Sequence, residues 1–232
     1  MLSYMLTNGT GDIKTWLISF LLTLPIALIA LSVHEAAHGY IAYRLGDQTA
    51  RNMGRLSLNP LKHLDPIGFL CMILGGFGWA KPVPINARYF KNPRKGMALT
   101  AIAGPLSNIL LAFFFALIYE ILFAIFRDVE FTSNMPYYVA LISLQFFSLA
   151  AYMNVAFAIF NLIPIPPFDG SRFVFVLLPP KYYFGIMKYE RVIMAVLLVL
   201  LITGILDLPL STATNFVLSW IYRFWEILPF FR

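Results

Sequence analysis

Two histidines and a glutamate stand in a spacing that can build a metal site. His34, Glu35 and His38 belong to the segment HEAAH, and in a helix the two imidazoles share one face because residues i and i+4 are neighbours. Two neutral imidazoles can hold Zn²⁺, and the glutamate beside them can take a proton from a water that the metal acidifies. The pattern predicts a zinc peptidase site with one Zn²⁺ per chain and Glu35 as the general base.

A catalytic zinc site of this kind needs a third protein ligand. The strongest candidate is Asp169 in NLIPIPPFDG (161–170), where prolines end an apolar segment and Gly170 permits a tight turn at the carboxylate. Glu190 is the alternative ligand, as in zinc proteases of another class that complete the histidine pair with a downstream glutamate, although its basic neighbours favour a solvated charge.

A different interpretation makes the chain a transporter or a membrane protein with a structural metal. A structural zinc prefers four protein ligands, and the chain offers only three histidines and one cysteine. The small number of possible ligands therefore favours a catalytic metal, in which one coordination position is left open for water or substrate.

The composition predicts a membrane protein. Of the 232 residues, 60% are hydrophobic and 12% are charged, with a mean hydropathy of +0.77, whereas soluble domains are about 45–50% apolar and about 25% charged. The formal net charge is +6, but the basic residues stand in short segments between apolar runs, which is typical of membrane topology rather than of nucleic-acid binding. We expect a lipid bilayer around the chain and no nucleic-acid partner.

We predict an all-α membrane protein, a polytopic bundle of about four to five transmembrane helices in a single domain over residues 1–232. The predicted spans are about 15–45, 97–126, 137–163 and 192–206, and residues 213–231 form either an interfacial helix or a fifth span.

The connection between the first and second spans has two features of its own. Residues 66–80 are apolar and glycine-rich but too short to cross the bilayer, which predicts a re-entrant segment. Residues 83–89 alternate with a period of two and contain proline, which predicts a short membrane-associated β element with an exposed edge. Such an edge can accept another strand.

The basic residues predict an orientation. Lys and Arg are concentrated in residues 51–95 and in the loop after the third span, so both connections are expected on the cytoplasmic side. The N-terminus then lies outside, and the HEAAH segment and Asp169 lie towards the cytoplasm. We expect an integral protein of the plasma membrane, the inner membrane of the cell.

Three segments in this order resemble one family. HEAAH (34–38), AGPLSN (103–108) and NLIPIPPFDG (161–170), together with GWAKPVPIN (78–86), resemble the site-2 proteases, which are intramembrane zinc metalloproteases. The resemblance covers most of residues 13–180.

The resemblance implies a role for each matching residue. His34, His38 and Asp169 would bind zinc, and Glu35 would be the general base. Asn161 would lie near the metal and hold the substrate or the developing oxyanion. Asn108 would either do the same or tie helices together inside the membrane.

The resemblance also implies a reaction, which is hydrolysis of peptide bonds in or near the transmembrane segments of single-span membrane protein substrates. We expect the minimal form of the family, because only a short loop separates the second and third spans and no PDZ-like or other soluble domain is evident. Substrate selection would then depend on the membrane segments, on residues 51–95, or on a partner, which is either a regulatory membrane protein or a second copy of the chain.

Overall fold

The computed structural model describes residues 13–75, 78, 80–176, 185–186 and 188–227. It divides into two compact units, residues 1–96 and residues 97–232. The helices of the first unit are α1 (Ile13–Arg44), α2 (Thr49–Asn52) and α3 (Pro66–Gly75), and those of the second unit are α4 (Pro93–Phe126, which begins just before the boundary), α5 (Asn134–Asn161), α6 (Asp169–Phe175), α7 (Glu190–Ile202) and α8 (Asp207–Glu226).

Helix α1 is long enough to cross a bilayer and to carry a polar end. Its 32 residues extend about 48 Å, against a hydrocarbon core of about 30 Å. The helix ends at Arg44, and Gly46 follows with φ +107°, a left-handed conformation that glycine adopts without steric cost. The predicted first span, about 15–45, agrees with this helix to within a few residues.

The predicted re-entrant segment is not confirmed. Helix α3 has ten residues and extends only about 15 Å, so it cannot cross the bilayer by itself. Residues 76, 77 and 79 lie outside the described part of the chain, and the rest of the predicted segment therefore stays a prediction.

The predicted β element is not confirmed either. The described residues contain no strand. The nearest features are an isolated antiparallel bridge between Leu64 and Ala80 and a 3-10 turn over Ala87–Tyr89. Pro82 and Pro84 have no N–H to donate to a ladder. The amides of Val83 and Asn86 donate to side chains instead, which leaves an extended segment without a neighbouring strand.

The second unit contains two further membrane-length helices. Helices α4 and α5 have 34 and 28 residues, each longer than the roughly 20 residues that a span requires. Residues 127–133 connect them, as expected for a chain with no domain inserted at this point. The predicted spans 97–126 and 137–163 agree with these helices to within a few residues at each end.

The last predicted spans need correction. Helix α7 has 13 residues and extends about 20 Å, so the predicted span 192–206 is too short to cross alone. Helix α8 begins at Asp207, directly after the end of the predicted span and before the predicted start of the last segment at residue 213. The two helices meet at 82°, and Gly204 with φ +72° lies at the break.

The helical membrane class is confirmed by the lengths and composition of these helices. Three helices are long and apolar enough to cross a membrane, or four if the bent α7–α8 pair is one span. Many of the large apolar side chains on these helices are exposed, as required of a surface that faces lipid. The chain is an integral membrane protein with three to four candidate spans.

Candidate metal centre

The two histidines of the first unit converge on one point. His34 and His38 are one helical turn apart on α1, and both side chains are buried. Their Nε2 atoms are 3.0 Å apart, close to the roughly 3.3 Å expected between two nitrogen ligands of one tetrahedral zinc ion. The helix geometry alone therefore presents two imidazole nitrogens to a single ion.

Glu35, between the histidines, is fixed by a neighbouring segment. Its Oε2 accepts a hydrogen bond of 2.8 Å from the backbone N–H of Val83. Gly39 makes this approach possible, because a Cβ at this position would lie 3.3 Å from Cγ1 of Val83, tighter than an ordinary contact. The extended segment thus passes directly beside the glutamate.

Two buried charged residues hold this extended segment, residues 81–86, against the first unit. Asp47, which is fully buried, accepts hydrogen bonds from the backbone amides of Thr49 and Asn86. Arg55, also buried, donates to the backbone carbonyls of Lys81 and Pro82. Charge-assisted bonds to a backbone are stronger than neutral ones, so the segment is anchored at both ends with Val83 between the anchors.

In the second unit, the carboxylate of Asp169 is placed by a sharp reversal after α5. Asp169 is the first residue of α6 and is half-buried. A Cβ on Gly170 would overlap the carbonyl group of Leu162 and come within 2.8 Å of the carbonyl oxygen of Ile163. Only glycine allows the start of α6 to lie so close to the end of α5, which explains why glycine follows the aspartate.

The residues present fit a zinc ion by their chemistry. His34 and His38 offer two imidazole nitrogens, and Asp169 offers one carboxylate oxygen. Three protein ligands of these types, with a fourth position left for water or substrate, are the donor set of catalytic zinc sites. A closed structural site would need a fourth protein ligand.

Asn161 is the last residue of α5. Its Nδ2 donates a hydrogen bond of 2.9 Å to the carbonyl oxygen of Phe157, one turn earlier. The amide group carries a second N–H, so this local bond fixes the side chain while one donor is left over. The predicted role in substrate or oxyanion binding stays a prediction.

Asn108 makes a hydrogen bond between helices. It is fully buried, and its Nδ2 donates to Oδ1 of Asn154 at 2.9 Å, while Asn154 donates in turn to the carbonyl oxygen of Ala150. The chain of bonds links α4 to α5. This bond agrees with the structural role predicted for Asn108, and the role in substrate or oxyanion binding stays a prediction.

Sequence reasoning missed three residues that support this region, Asp47, Arg55 and Asn154. A usable signal existed for Asn154, because an asparagine in the middle of an apolar span requires a partner. Asp47 and Arg55 lie in a polar connection where charges are ordinary, and nothing in the sequence distinguishes a buried charge there from a solvated one.

Comparison with known proteins finds a family model that matches most of the chain. Residues 21–204 match the model of peptidase family M50. No solved structure matches the chain significantly.

Three curated relatives carry closely related names. The chain is 41% identical over 178 residues to "Putative zinc metalloprotease YwhC" of Bacillus subtilis, covering 76% of this chain and 78% of the relative. It is 26% identical over 193 residues to "Putative zinc metalloprotease Rip2" of Mycolicibacterium smegmatis (81% and 69%). It is 29% identical over 162 residues to "Putative zinc metalloprotease MJ0611" of Methanocaldococcus jannaschii (67% and 76%). These names support Zn²⁺ as the metal.

Replacing Gly170 with alanine tests the close packing beside Asp169. The added methyl group must push α6 away from the end of α5, so we expect Gly170→Ala to lose about 1–3 kcal/mol of stability and to lower the zinc content. Gly185→Ala is the matched control, because nothing lies within 4 Å of a Cβ there. Thermal unfolding in detergent and zinc analysis provide the two measurements. Wild-type values for both in Gly170→Ala would contradict the packing argument.

Replacing Asn108 with leucine tests its structural role. The change leaves the acceptor on Asn154 without its partner, so we expect a loss of about 0.5–2 kcal/mol. The double variant Asn108→Leu/Asn154→Leu should recover part of that loss in thermal unfolding, because no orphaned amide is left behind. A variant with unchanged stability but impaired catalysis would instead assign Asn108 to the substrate.

Proposed function

The chain belongs to peptidase family M50, the site-2 protease family, and we propose that this zinc metalloprotease hydrolyses peptide bonds in or near the transmembrane segments of single-span membrane proteins. The observation that carries the proposal is the convergence of the His34 and His38 Nε2 atoms, 3.0 Å apart, on a helix long enough to cross the bilayer. A hydrolytic centre built into such a helix acts on peptide that is itself within or beside the membrane.

We assign the zinc ligands to His34, His38 and Asp169. The assignment is supported by the donor set, which matches a catalytic zinc with an open position. It is also supported by Gly170, whose missing side chain lets the backbone turn sharply at the carboxylate. When bound, a zinc ion supplies Lewis-acid chemistry, because it polarises a carbonyl group and makes a water more acidic.

Glu35 is the proton carrier in this proposal. As the oxygen of water forms its bond to the scissile carbonyl carbon, Oε1 or Oε2 of Glu35 takes a proton from that water. The same carboxyl group then gives the proton to the amide nitrogen as the C–N bond breaks, so that a neutral amine leaves. The hydrogen bond from the Val83 N–H holds the carboxylate in one orientation throughout.

The extended segment of residues 81–86 is the proposed docking place for the substrate backbone. A transmembrane helix has all its carbonyls in internal hydrogen bonds and must unwind before one can be attacked. Pairing with the carbonyl oxygens of an extended segment compensates the N–H groups that unwinding exposes. Because Val83 contacts Glu35, a strand held along this segment lies beside the general base. Asn161 supplies the remaining amide N–H of its side chain to substrate or oxyanion.

The orientation predicted from the basic residues completes the proposal. With the connections rich in Lys and Arg on the cytoplasmic side, the active site opens towards the cytoplasm and the N-terminus lies outside the plasma membrane. The substrates are then cut at the cytoplasmic part of their spans.

The first test is Glu35→Gln. The amide keeps the size of the side chain but cannot accept and return a proton, so we expect zinc content to stay at the wild-type level and cleavage to fall by at least about 10²–10⁴-fold. Purified wild type and variant are incubated side by side with single-span model substrates, and the products are identified by intact mass. A fully active variant would remove Glu35 from the role of base.

The third ligand is tested by comparing Asp169→Ala with Glu190→Ala. Loss of a true ligand weakens zinc binding strongly because the ion then has only two protein donors. We expect zinc per chain to fall in Asp169→Ala and to be retained in Glu190→Ala, as measured by elemental analysis of the purified proteins. The reverse pattern would assign the site to the other class of zinc protease.

A further inference from the structure

A second polar site lies in the second unit, in a cavity of about 1120 Å³. Its walls come from α4, α5 and α8, and most of its lining is aromatic or aliphatic. Both α4 and α5 are candidate membrane spans. All of its lining residues belong to the second unit, and none of them is used in the proposed proteolytic mechanism.

Glu120 is the most unusual residue of this cavity. The side chain belongs to a membrane-spanning helix and is only 8% exposed, and within the described residues it has neither an ion pair nor a hydrogen bond. A buried, uncompensated carboxylate in a span costs several kcal/mol. Such a residue is expected to have a partner, and the described residues do not supply one.

A second polar group in the same cavity has only a weak partner. The hydroxyl oxygen of Tyr222 is buried and interacts with the side chain of Ser148, but it forms no hydrogen bond of standard geometry with a described residue. The ring of Tyr222 meets that of Tyr119 edge to face, with 5.5 Å between the ring centroids. Two polar groups from different helices, Glu120 on α4 and Tyr222 on α8, thus line the same cavity.

The charges of the cavity define the chemistry of this ligand. Glu120 and Glu226 are negative and Arg223 is positive, and no ion pair joins them in the described part of the chain. A cavity with carboxylates and a separate guanidinium complements a zwitterion. Tyrosine rings beside the carboxylates add cation–π attraction for an ammonium group.

We propose that this cavity binds a phospholipid with a primary ammonium headgroup. The ammonium group lies between Glu120 and Glu226 and donates hydrogen bonds to them and to the hydroxyl of Tyr222. The phosphate lies at Arg223, and an acyl chain covers the exposed rings of Trp220 and Phe224. A membrane-embedded cavity is surrounded by such lipids, so the ligand reaches it without leaving the bilayer.

The test measures lipid binding to the full chain by native mass spectrometry in detergent. The probes are phosphatidylethanolamine and phosphatidylglycerol with matched acyl chains, of which only the first carries an ammonium group. We expect the wild-type chain to bind phosphatidylethanolamine at least about tenfold more tightly, and Glu120→Gln to abolish that difference, because a charge-assisted hydrogen bond is lost. Glu130→Gln, which changes an exposed loop carboxylate, is the control and should bind as wild type.

Two further measurements separate the lipid from other cations. Arg223→Gln should weaken binding of phosphatidylethanolamine but not of a long-chain alkylammonium that has no phosphate. Equal binding of both phospholipids by wild type would overturn the proposal whether or not the variants fold. So would a cavity that binds a membrane peptide with a terminal lysine in a Glu120-dependent way while phosphatidylethanolamine binding is independent of Glu120.

Discussion

The structure depends on one constraint, which is that polar groups inside an apolar environment must be bonded to something. The buried aspartate and arginine of the first unit satisfy this constraint by binding the backbone of residues 81–86. The paired asparagines of α4 and α5 satisfy it by binding each other. The two histidines of α1 satisfy it through a metal in the proposed enzyme. Each of these buried polar residues therefore either forms a structural hydrogen bond or belongs to a site that needs a ligand.

The proposed chemistry follows from how rigidly these ties hold the reacting groups. Glu35 lies on a continuous helix and accepts a hydrogen bond from a segment that is itself anchored on both sides. Catalysis by positioned proton transfer requires such fixed geometry. Asp169 belongs to a different unit, and its position is set by the tight turn at Gly170. In the proposed enzyme, backbone packing would therefore position the ligands that each unit contributes.

How much the sequence could predict depends on the range of the interactions involved. The ligand pair on α1 was predictable because the helical repeat alone brings residues 34 and 38 together. The long spans were predictable from apolar length. The end of the chain was not, because Gly204 lets the chain bend by 82° between two helices that composition alone represents as separate segments. The anchoring of residues 81–86 was not predictable, because their amides bind side chains 39 and 48 positions away. An alternating pattern cannot distinguish a β ladder from such anchoring.

The prolines of residues 81–86 have a consequence for self-association. Pro82 and Pro84 have no N–H, and the backbone amides of Lys81, Val83 and Asn86 are already used. Within the described structure, Ile85 therefore offers the one remaining backbone donor of the segment. Its carbonyls are more plentiful than its donors. If residues 81–86 of two copies paired, their carbonyl oxygens would face each other and repel. An unwound substrate has N–H groups that can donate to these carbonyls. In the proposed function, residues 81–86 therefore favour pairing with a substrate over pairing with a second copy of themselves.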